Sequence, residues 1–268
     1  MPKQLVIVIP ARYSSTRLPG KPLVNIAGNT MLQWVCGVAL AAAHQLEHVT
    51  VLVATEDQRI FEHAEAIEGI TPVMTPEDCP TGSDRVLAAL EAFNLKPDAV
   101  INLQGDTPFT PPHFLVEVAK VLLQENSADI VTPVTELSWL ELDEFRENKK
   151  QTPFSGTTAI VAANSKALWF SKSIIPAIRN EKALRQHSEQ SPVFRHIGIY
   201  GFQYEALKAF VKLPVSRYER LEGLEQLRML ENNLYVHAVR VDYQGLLAMT
   251  GIDTLEDVVR AEKLLSRM

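Results

Sequence analysis

The sequence predicts an α/β fold in which a mostly parallel, twisted sheet carries helices on both faces. Two observations support this prediction. Nearly continuous apolar runs of strand length alternate with segments in which apolar residues recur every three or four positions. Strands with little polar alternation are typical of sheets that are covered on both sides. Their alternation with helices predicts βαβ units and therefore parallel neighbours.

The first half of the chain supplies four strands and four helices to this prediction. The predicted strands cover residues 4–10, 49–55, 99–106 and 129–135. The predicted helices cover residues 30–46, 57–67, 83–93 and 111–125. Pro111 and Pro112 support the start of the last helix, because the first turn of a helix tolerates a residue without an N–H group.

The second half is less regular and predicts a smaller α+β lobe. The expected elements are a hairpin at 159–171, a strand at 194–203, a helix at 223–232, a strand at 235–242 and a terminal helix at 253–268. The polar stretch 179–192 is predicted to be a mobile loop. The character of the sequence changes only softly near residue 135, so residues 1–268 are predicted to form one domain, with the smaller lobe at roughly 136–220.

Composition excludes several classes of protein. The net charge of −6 and the absence of a basic stripe argue against nucleic-acid binding. Two cysteines are too few for a disulfide framework and favour a reducing compartment. The sequence shows neither a signal peptide nor an apolar run long enough to span a membrane, so we expect a cytoplasmic protein.

The loop after the first strand carries three cations, Arg12, Arg17 and Lys21. In open α/β sheets ligands bind outside the carboxyl ends of the strands, which is where this loop is predicted to lie. Gly20 would allow close approach of a ligand, and Arg12 and Lys21 could neutralise phosphate oxygens. Neither a Walker motif nor GxGxxG is present, and a surface turn with solvated cations is the alternative interpretation.

A second loop, "TPEDCPTGSDRV" (75–86), leads into a predicted helix. Thr81, Gly82, Ser83 and Arg85 combine a flexible turn, two hydroxyl groups and a guanidinium group at a helix start, where backbone N–H groups can bind a base or a phosphate. The alternative is that Ser83 only caps the helix and Arg85 is a surface charge.

A third loop, "NLQGDTP" (102–108), places Asp106 at a strand end. A carboxylate there could hold Mg²⁺, which takes one or two carboxylates and fills its other positions with phosphate oxygens and water. Asp253, in "TGIDTLED" (250–257), could provide the second carboxylate. Each aspartate could instead cap the turn that follows it.

These loops belong to a set of blocks that occur in a fixed order along the chain. The blocks are "IPARYSSTRLPGKPL", "ATEDQRI", "MTPEDCPTGSDRV", "NLQGDTP", "RHIGIYGF", "LEQLRMLE" and "GIDTLEDV". In these blocks the sequence resembles the 3-deoxy-manno-octulosonate cytidylyltransferases, or CMP-Kdo synthetases, over nearly its whole length. The resemblance implies a nucleotide-diphospho-sugar-transferase-like fold and a homodimer whose contact and sugar site come largely from the smaller lobe. It also implies a reaction of CTP with a 3-deoxy-ulosonic acid, above all Kdo, that uses Mg²⁺ and gives a CMP-sugar and pyrophosphate.

The resemblance also implies roles for individual residues. The implied catalytic residues are Arg12 and Lys21 on the phosphates, with Asp106 and Asp253 as Mg²⁺ ligands. The implied nucleotide-binding residues are Ala11, Arg12, Lys21, Thr81, Gly82, Ser83, Arg85 and Gln104. The implied sugar-binding residues are Arg17, His196, Tyr200, Glu225 and Gln226. The sugar hydroxyl would attack the α-phosphorus of CTP. The sequence identifies no general base, so we expect the metal ion to activate this hydroxyl by lowering its pKa.

The chain departs from the family pattern at four positions, Thr107, Thr158, Lys172 and Phe202, and shows a mild change in "TGSDR" (81–85). They leave two interpretations open: the usual sugar, or a changed one such as an amino-substituted octulosonate or a nonulosonate. An acylneuraminate-type enzyme is a further alternative, against which "RHIGIYGF" and "LEQLR" speak. A non-catalytic nucleotide-binding homologue is another, and retention of both aspartates counts against it.

Overall fold

One mixed sheet organises the molecule. The computed structural model describes residues 2–15, 18–124, 128–246 and 251–266. Its strands are β1 (Leu5–Pro10), β2 (Asn25–Ile26), β3 (Asn29–Thr30), β4 (Val49–Thr55), β5 (Thr71–Met74), β6 (Ala99–Leu103), β7 (Ile130–Ser138), β8 (Thr158–Val161), β9 (Ala167–Ser171), β10 (Gln190–His196), β11 (Ile199–Gln203) and β12 (Val236–Arg240). Ten of them form one sheet in the order β5-β4-β1-β6-β11-β7-β10-β8-β9, with β12 paired to β7, while β2 and β3 pair with each other.

Helices cover the sheet between these strands. They are α1 (Met31–Ala43), α2 (Gln58–Glu65), α3 (Gly82–Ala92), α4 (Pro112–Leu122), α5 (Trp139–Gln151), α6 (Glu181–His187), α7 (Tyr204–Phe210), α8 (Arg217–Glu222), α9 (Gln226–Glu231) and α10 (Leu255–Leu265). The longest have 13 residues, and within the described residues no helix is long and apolar enough to cross a membrane.

The parallel part of the sheet confirms the α/β prediction. β1 lies between β4 and β6, and β4 continues to β5, all with parallel pairing. The side chains of Leu5–Ile9 are fully buried, because helices pack on both faces of this strand. Consecutive parallel strands bring their carboxyl ends to one edge. The loops that follow β1, β4 and β6 therefore meet there.

The second half does not build a separate sheet. β11 pairs antiparallel with β6, and β7, β10, β8 and β9 follow with antiparallel pairs. The predicted hairpin at 159–171 is present as β8 and β9, with Ser165 at a positive φ of 64° in the turn. The assignment of residues 136–220 to a distinct lobe stays a prediction.

Two predictions for the second half are wrong. The expected single strand at 194–203 is two strands, because β10 ends at His196 and β11 starts at Ile199. The hydroxyl of Thr132 binds the carbonyl of Ile199 at 2.7 Å, which fixes the bend between the two strands. The stretch 179–192, expected to be a loop, contains α6 and the start of β10. Ion pairs of Glu181 with Arg146 and of Arg185 with Asp143 hold α6 against α5, and the sequence of α6 shows no apolar face.

Candidate active site

A cleft of about 1120 Å³ opens where β6 ends. Its walls come from the loop after β6, from α5 and the chain that follows it, from β10 and β11, and from the start of α10. Five of the residues for which the resemblance implies a role line this cleft: Gln104, Asp106, His196, Tyr200 and Asp253. The fold thus brings together side chains that lie far apart along the chain.

Asp106 and Asp253 share one cation. The Nζ atom of Lys21 lies 2.8 Å from Oδ2 of Asp106 and 3.0 Å from Oδ1 of Asp253. The two carboxylate oxygens are therefore no further apart than the sum of these two distances. The backbone explains the meeting, because the amide of Ile252 donates a hydrogen bond of 2.8 Å to the carbonyl of Asp106.

The two carboxylates keep the ammonium group of Lys21 in its charged form. Burial lowers the pKa of Lys21, but the charges and hydrogen bonds of Asp106 and Asp253 outweigh it, so that its pKa is raised. Lys21 stays protonated at neutral pH, and its ammonium group marks a cation position between two carboxylates.

The two aspartates fit a magnesium ion. Mg²⁺ is commonly held by one or two carboxylates and completes its shell with water and substrate phosphates. The pair Asp106 and Asp253 supplies this donor set, and the ammonium group of Lys21 shows that a positive charge is stable between them. Within the described residues no group of three or more acidic, histidine or cysteine side chains could form a cage made of protein alone.

The second predicted loop is built around the start of α3. Thr81 caps the helix, since its hydroxyl accepts from the amide of Asp84 and the Asp84 carboxylate accepts from the Thr81 amide. Ser83 is therefore not the cap, and it is buried in the first turn. Arg12 donates from Nη2 to the carbonyl of Cys79 at 2.5 Å, which ties the opening loop to this one.

Arg85 is placed behind the loops and does not line the cleft. Its side chain is 0% exposed, donates to Oγ1 of Thr75 at 2.6 Å and lies 2.9 Å from Oε2 of Glu56. A surface position for Arg85 is therefore wrong, because this carboxylate draws the guanidinium group inward.

His196 faces the cleft as a neutral ring. The hydroxyl of Thr132 gives its only proton to the carbonyl of Ile199 at 2.7 Å, so it must accept from Nε2 of His196 at 2.8 Å. The proton therefore sits on Nε2, and Nδ1 remains an acceptor. Burial, aided by the charge of Lys172, lowers the pKa of His196 to about 3.

Glu225 and Gln226 sit beside the nucleotide loop. Oε1 of Glu225 accepts from the Thr81 hydroxyl at 3.1 Å, and burial raises the pKa of Glu225 despite hydrogen bonds from Ser83 and Thr81. Burial also raises the pKa of Tyr200 well above its usual range, with a contribution from the charge of Glu225. The side chain of Gln226 is 2% exposed. The cleft lining includes neither Glu225 nor Gln226.

The remaining residues singled out in the sequence differ in their relation to the cleft. Arg17 lies outside the described residues. The hydroxyl of Thr158 donates to the carbonyl of Ser173 within the core, and Phe202 stacks on Phe210 at 5.9 Å. Of the four departures from the family pattern, only Thr107 and Lys172 line the cleft.

Sequence reasoning missed cleft residues in the second half. Arg195 lines the cleft beside His196. It belongs to the block "RHIGIYGF", which resembles the family, but the sequence suggested no role for it. Lys149 donates to the carbonyls of Ser155 and Lys172 at 2.7 and 2.5 Å, and so it fastens the chain after α5 along the cleft. In the sequence, the polar stretch "ENKK" (147–150) is typical of a solvent-exposed helix face and does not indicate these hydrogen bonds of Lys149.

Comparison with known proteins supplies independent information. The cytidylyltransferase family matches residues 6–240. The 3-deoxy-manno-octulosonate cytidylyltransferase of Maricaulis maris is 40% identical over 262 residues, which cover 98% of this chain and 97% of that protein. A solved CMP:2-keto-3-deoxy-manno-octonic acid synthetase in complex with CTP matches with a TM-score of 0.81 and 31% identity, over 98% of this chain and 99% of that one. A 4-diphosphocytidyl-2C-methyl-D-erythritol synthase from Anaerococcus prevotii, 15% identical over the whole of both chains with a TM-score of 0.58, shares the fold.

Proposed function

The chain belongs to the cytidylyltransferase family, among the 3-deoxy-manno-octulosonate cytidylyltransferases, and from this premise we propose that it joins CTP to Kdo. The products are CMP-Kdo and pyrophosphate, and the enzyme is a nucleotidyltransferase. The observation that carries the proposal is the ammonium group of Lys21, from the cation-bearing loop, held between Asp106 and Asp253, two carboxylates that line the cleft.

The reaction exchanges one bond to phosphorus for another. The anomeric oxygen of the sugar forms a bond to the α-phosphorus of CTP, its proton leaves, and pyrophosphate departs with the electron pair of the broken P–O bond. Negative charge grows on the leaving group and on the phosphoryl oxygens, so fixed cations lower the barrier. Arg12 and Lys21 are the cations that the opening loop offers for this purpose.

Asp106 and Asp253 would hold Mg²⁺ at the same edge of the sheet. When bound, this ion neutralises negative charge on the triphosphate and lowers the pKa of a coordinated hydroxyl group. The aspartates also orient Lys21, because its ammonium group hydrogen-bonds to both of them. The first turn of α3, capped by Thr81, would orient the nucleotide through backbone N–H groups.

The far part of the cleft suits a sugar acid. Lys172 and Arg195 line it, and neither side chain forms a salt bridge with a carboxylate in the parts of the chain that are described. Two cations without a salt-bridge partner among the described residues would favour a ligand carboxylate. His196, with its Nδ1 acceptor, and the buried Tyr200 would contact sugar hydroxyl groups.

A sugar panel tests this proposal. Pyrophosphate release is measured with CTP, Mg²⁺ and, in turn, Kdo, an amino-substituted octulosonate and a nonulosonate. Release with Kdo supports the proposal. Release only with another sugar would support a cytidylyltransferase reaction but overturn Kdo as the substrate. In that case Lys172, in the cleft wall, would be the first residue to substitute in a search for the cause of the changed specificity. Tight CTP binding without release for any sugar would contradict catalysis.

The proposal extends to assembly. Leu168, Tyr218 and Leu221 are 51, 41 and 66% exposed, and they lie on β9, at one end of the sheet, and on α8 beside it. We assign this apolar face to the contact of a homodimer. Light scattering should show a dimer, and Leu221→Glu should shift it towards monomer. Val259→Glu, at an exposed site on α10, is the control.

The remaining parts of the proposal concern cellular context. The CMP-sugar would serve lipopolysaccharide or capsule synthesis, and the enzyme would act in the cytoplasm, where CTP is available. Fractionation of cells that produce the enzyme should place its activity in the soluble cytoplasmic fraction, and recovery elsewhere would contradict this location.

A further inference from the structure

Glu56 joins three loops at the carboxyl edge of the sheet. It is the first residue after β4. Its Oε1 accepts from the amide of Tyr13, in the loop after β1, at 3.0 Å. Its Oε2 lies 2.9 Å from Nη1 of Arg85, on α3, and the same Nη1 donates to Oγ1 of Thr75, the first residue after β5, at 2.6 Å. Glu56 belongs to none of the roles assigned above.

The pair of Glu56 and Arg85 is buried and tightly constrained. The side chain of Arg85 is 0% exposed and that of Glu56 is 11% exposed. Nε and Nη2 of Arg85 and Oε2 of Glu56 are buried without a hydrogen-bond partner in the described parts of the chain, so Glu56 and Arg85 interact as an ion pair at 2.9 Å and not through an aligned hydrogen bond. A buried guanidinium with so few acceptors depends on its one carboxylate, so this ion pair holds both side chains in a single position.

Tyr13 transmits this position to the opening loop. Its carbonyl accepts from the amide of Gly20 at 3.0 Å. Gly20 has a φ of +68°, and a Cβ atom there would lie 3.2 Å from the ring of Tyr13, so the loop closes directly over this ring. Arg59 stacks on the ring at 3.4 Å from its centroid. Arg12 precedes Tyr13 and Lys21 follows Gly20, so the position of Tyr13 sets both cations.

We propose that Glu56 and Arg85 are positioning residues for the triphosphate of CTP. The ion pair fixes the backbone of Tyr13 and, through the hydrogen bond between Tyr13 and Gly20, aims Arg12 and Lys21 at the phosphates. Arg85 acts behind the loops and makes no contact with the nucleotide. This inference rests on the proposed function, because it takes CTP as the ligand of this edge.

The first test is the affinity for CTP. Glu56→Gln keeps the size of the side chain and removes the charge that holds Arg85. We expect the dissociation constant for CTP, measured by calorimetry with Mg²⁺, to rise on the order of 10-fold, as is common for residues that orient a binding group. Glu65→Gln, at an exposed site on α2, is the matched control and should bind CTP as the wild type does. Unchanged affinity in Glu56→Gln overturns the inference.

A second variant separates positioning from stability. Glu56→Gln with Arg85→Met removes both buried charges, so the melting temperature should recover towards the wild-type value. The affinity for CTP should stay low, because Tyr13 is still not anchored by a fixed carboxylate. Recovery of affinity together with stability would show that the single variant acted only through the fold, and would overturn the inference.

A third measurement asks whether the effect passes through Arg12. In an Arg12→Met background, Glu56→Gln should weaken CTP binding much less than in the wild type, because the group that it positions is absent. Full additivity contradicts this route. Absence of CTP binding by the wild type would instead refute the proposed function, so the two failures are distinguishable.

Discussion

Gly105 offers a sharp test of how closely the site depends on the backbone. It lies between the end of β6 and Asp106, and a Cβ atom at this position would come within 2.7 Å of the carbonyl oxygen of Pro10 and 3.8 Å of the Cα atom of Ala11. Both neighbours are backbone atoms at the end of β1. The substitution Gly105→Ala therefore cannot be absorbed by rotation of a side chain.

The structure gives the size of the expected effect. To reach an ordinary contact the two backbones must separate by several tenths of an ångström, and Asp106 moves with its neighbour. A misplacement of about 1 Å can lower a rate by about 100-fold, so we expect kcat/KM to fall by about 10-fold. Overpacking of this kind costs about 1–3 kcal/mol. The melting temperature should drop by about 2–4 °C for each kcal/mol in a domain of this size.

The assay is pyrophosphate release together with thermal unfolding. Gly37→Ala is the control, because it lies inside α1 with no atom within 4 Å of the added Cβ. It should raise stability by about 0.5–1 kcal/mol and leave the rate unchanged. Wild-type rate and melting temperature in Gly105→Ala would refute the claim that this contact sets the position of Asp106.

Three further predictions concern ionisable side chains. Asp106→Asn and Asp253→Asn should each lower the rate by about 10²–10³-fold with a melting temperature close to that of the wild type, and a rate within twofold would remove that residue from the site. The pKa of His196, lowered by burial to about 3, keeps this ring neutral from pH 5 to 8. Its ¹⁵N resonances should not titrate there, and stability should decline as pH falls from about 6.5 towards 3. Hydrogen bonds from Arg146 and Arg185 lower the pKa of Glu181 to about 2, so its contribution is full above about pH 4.3 and is lost as pH falls towards 2. Glu181→Gln should lower the melting temperature by about 2–4 °C at pH 7, after allowance for solvent screening, and by progressively less in acid; an equal effect at all pH values would contradict this origin.

The parallel half of the fold could be predicted because burial leaves a pattern in the sequence. Val6 and Ile7 point to opposite faces of β1, and both are fully buried, so the strand reads as one apolar run. α6 could not be predicted in the same way. No residue of this helix is buried, and it is held by Arg146, on another helix, which pairs with Glu181. Local periodicity carries no trace of such a contact.

In the candidate active site, too, some residues could be predicted from the sequence and others could not. Asp106 and Asp253 could be proposed because each follows the pattern of a strand-end or helix-start loop, and the structure brings them to one ammonium group. Their role as metal ligands stays a prediction. Glu56 could not be found, since a glutamate between a strand and a helix reads as an ordinary solvent-facing residue. The resemblance implies that its partner Arg85 binds the nucleotide, but the side chain of Arg85 is fully buried against Glu56.

The most direct measurement is anomalous diffraction from crystals grown with CTP and Mn²⁺ as a substitute for Mg²⁺. We expect a manganese peak within coordination distance of the carboxylates of Asp106 and Asp253, with the ammonium group of Lys21 on a phosphate oxygen of CTP. A peak that touches neither aspartate, or CTP bound away from the loops that follow β1 and β6, would contradict this expectation.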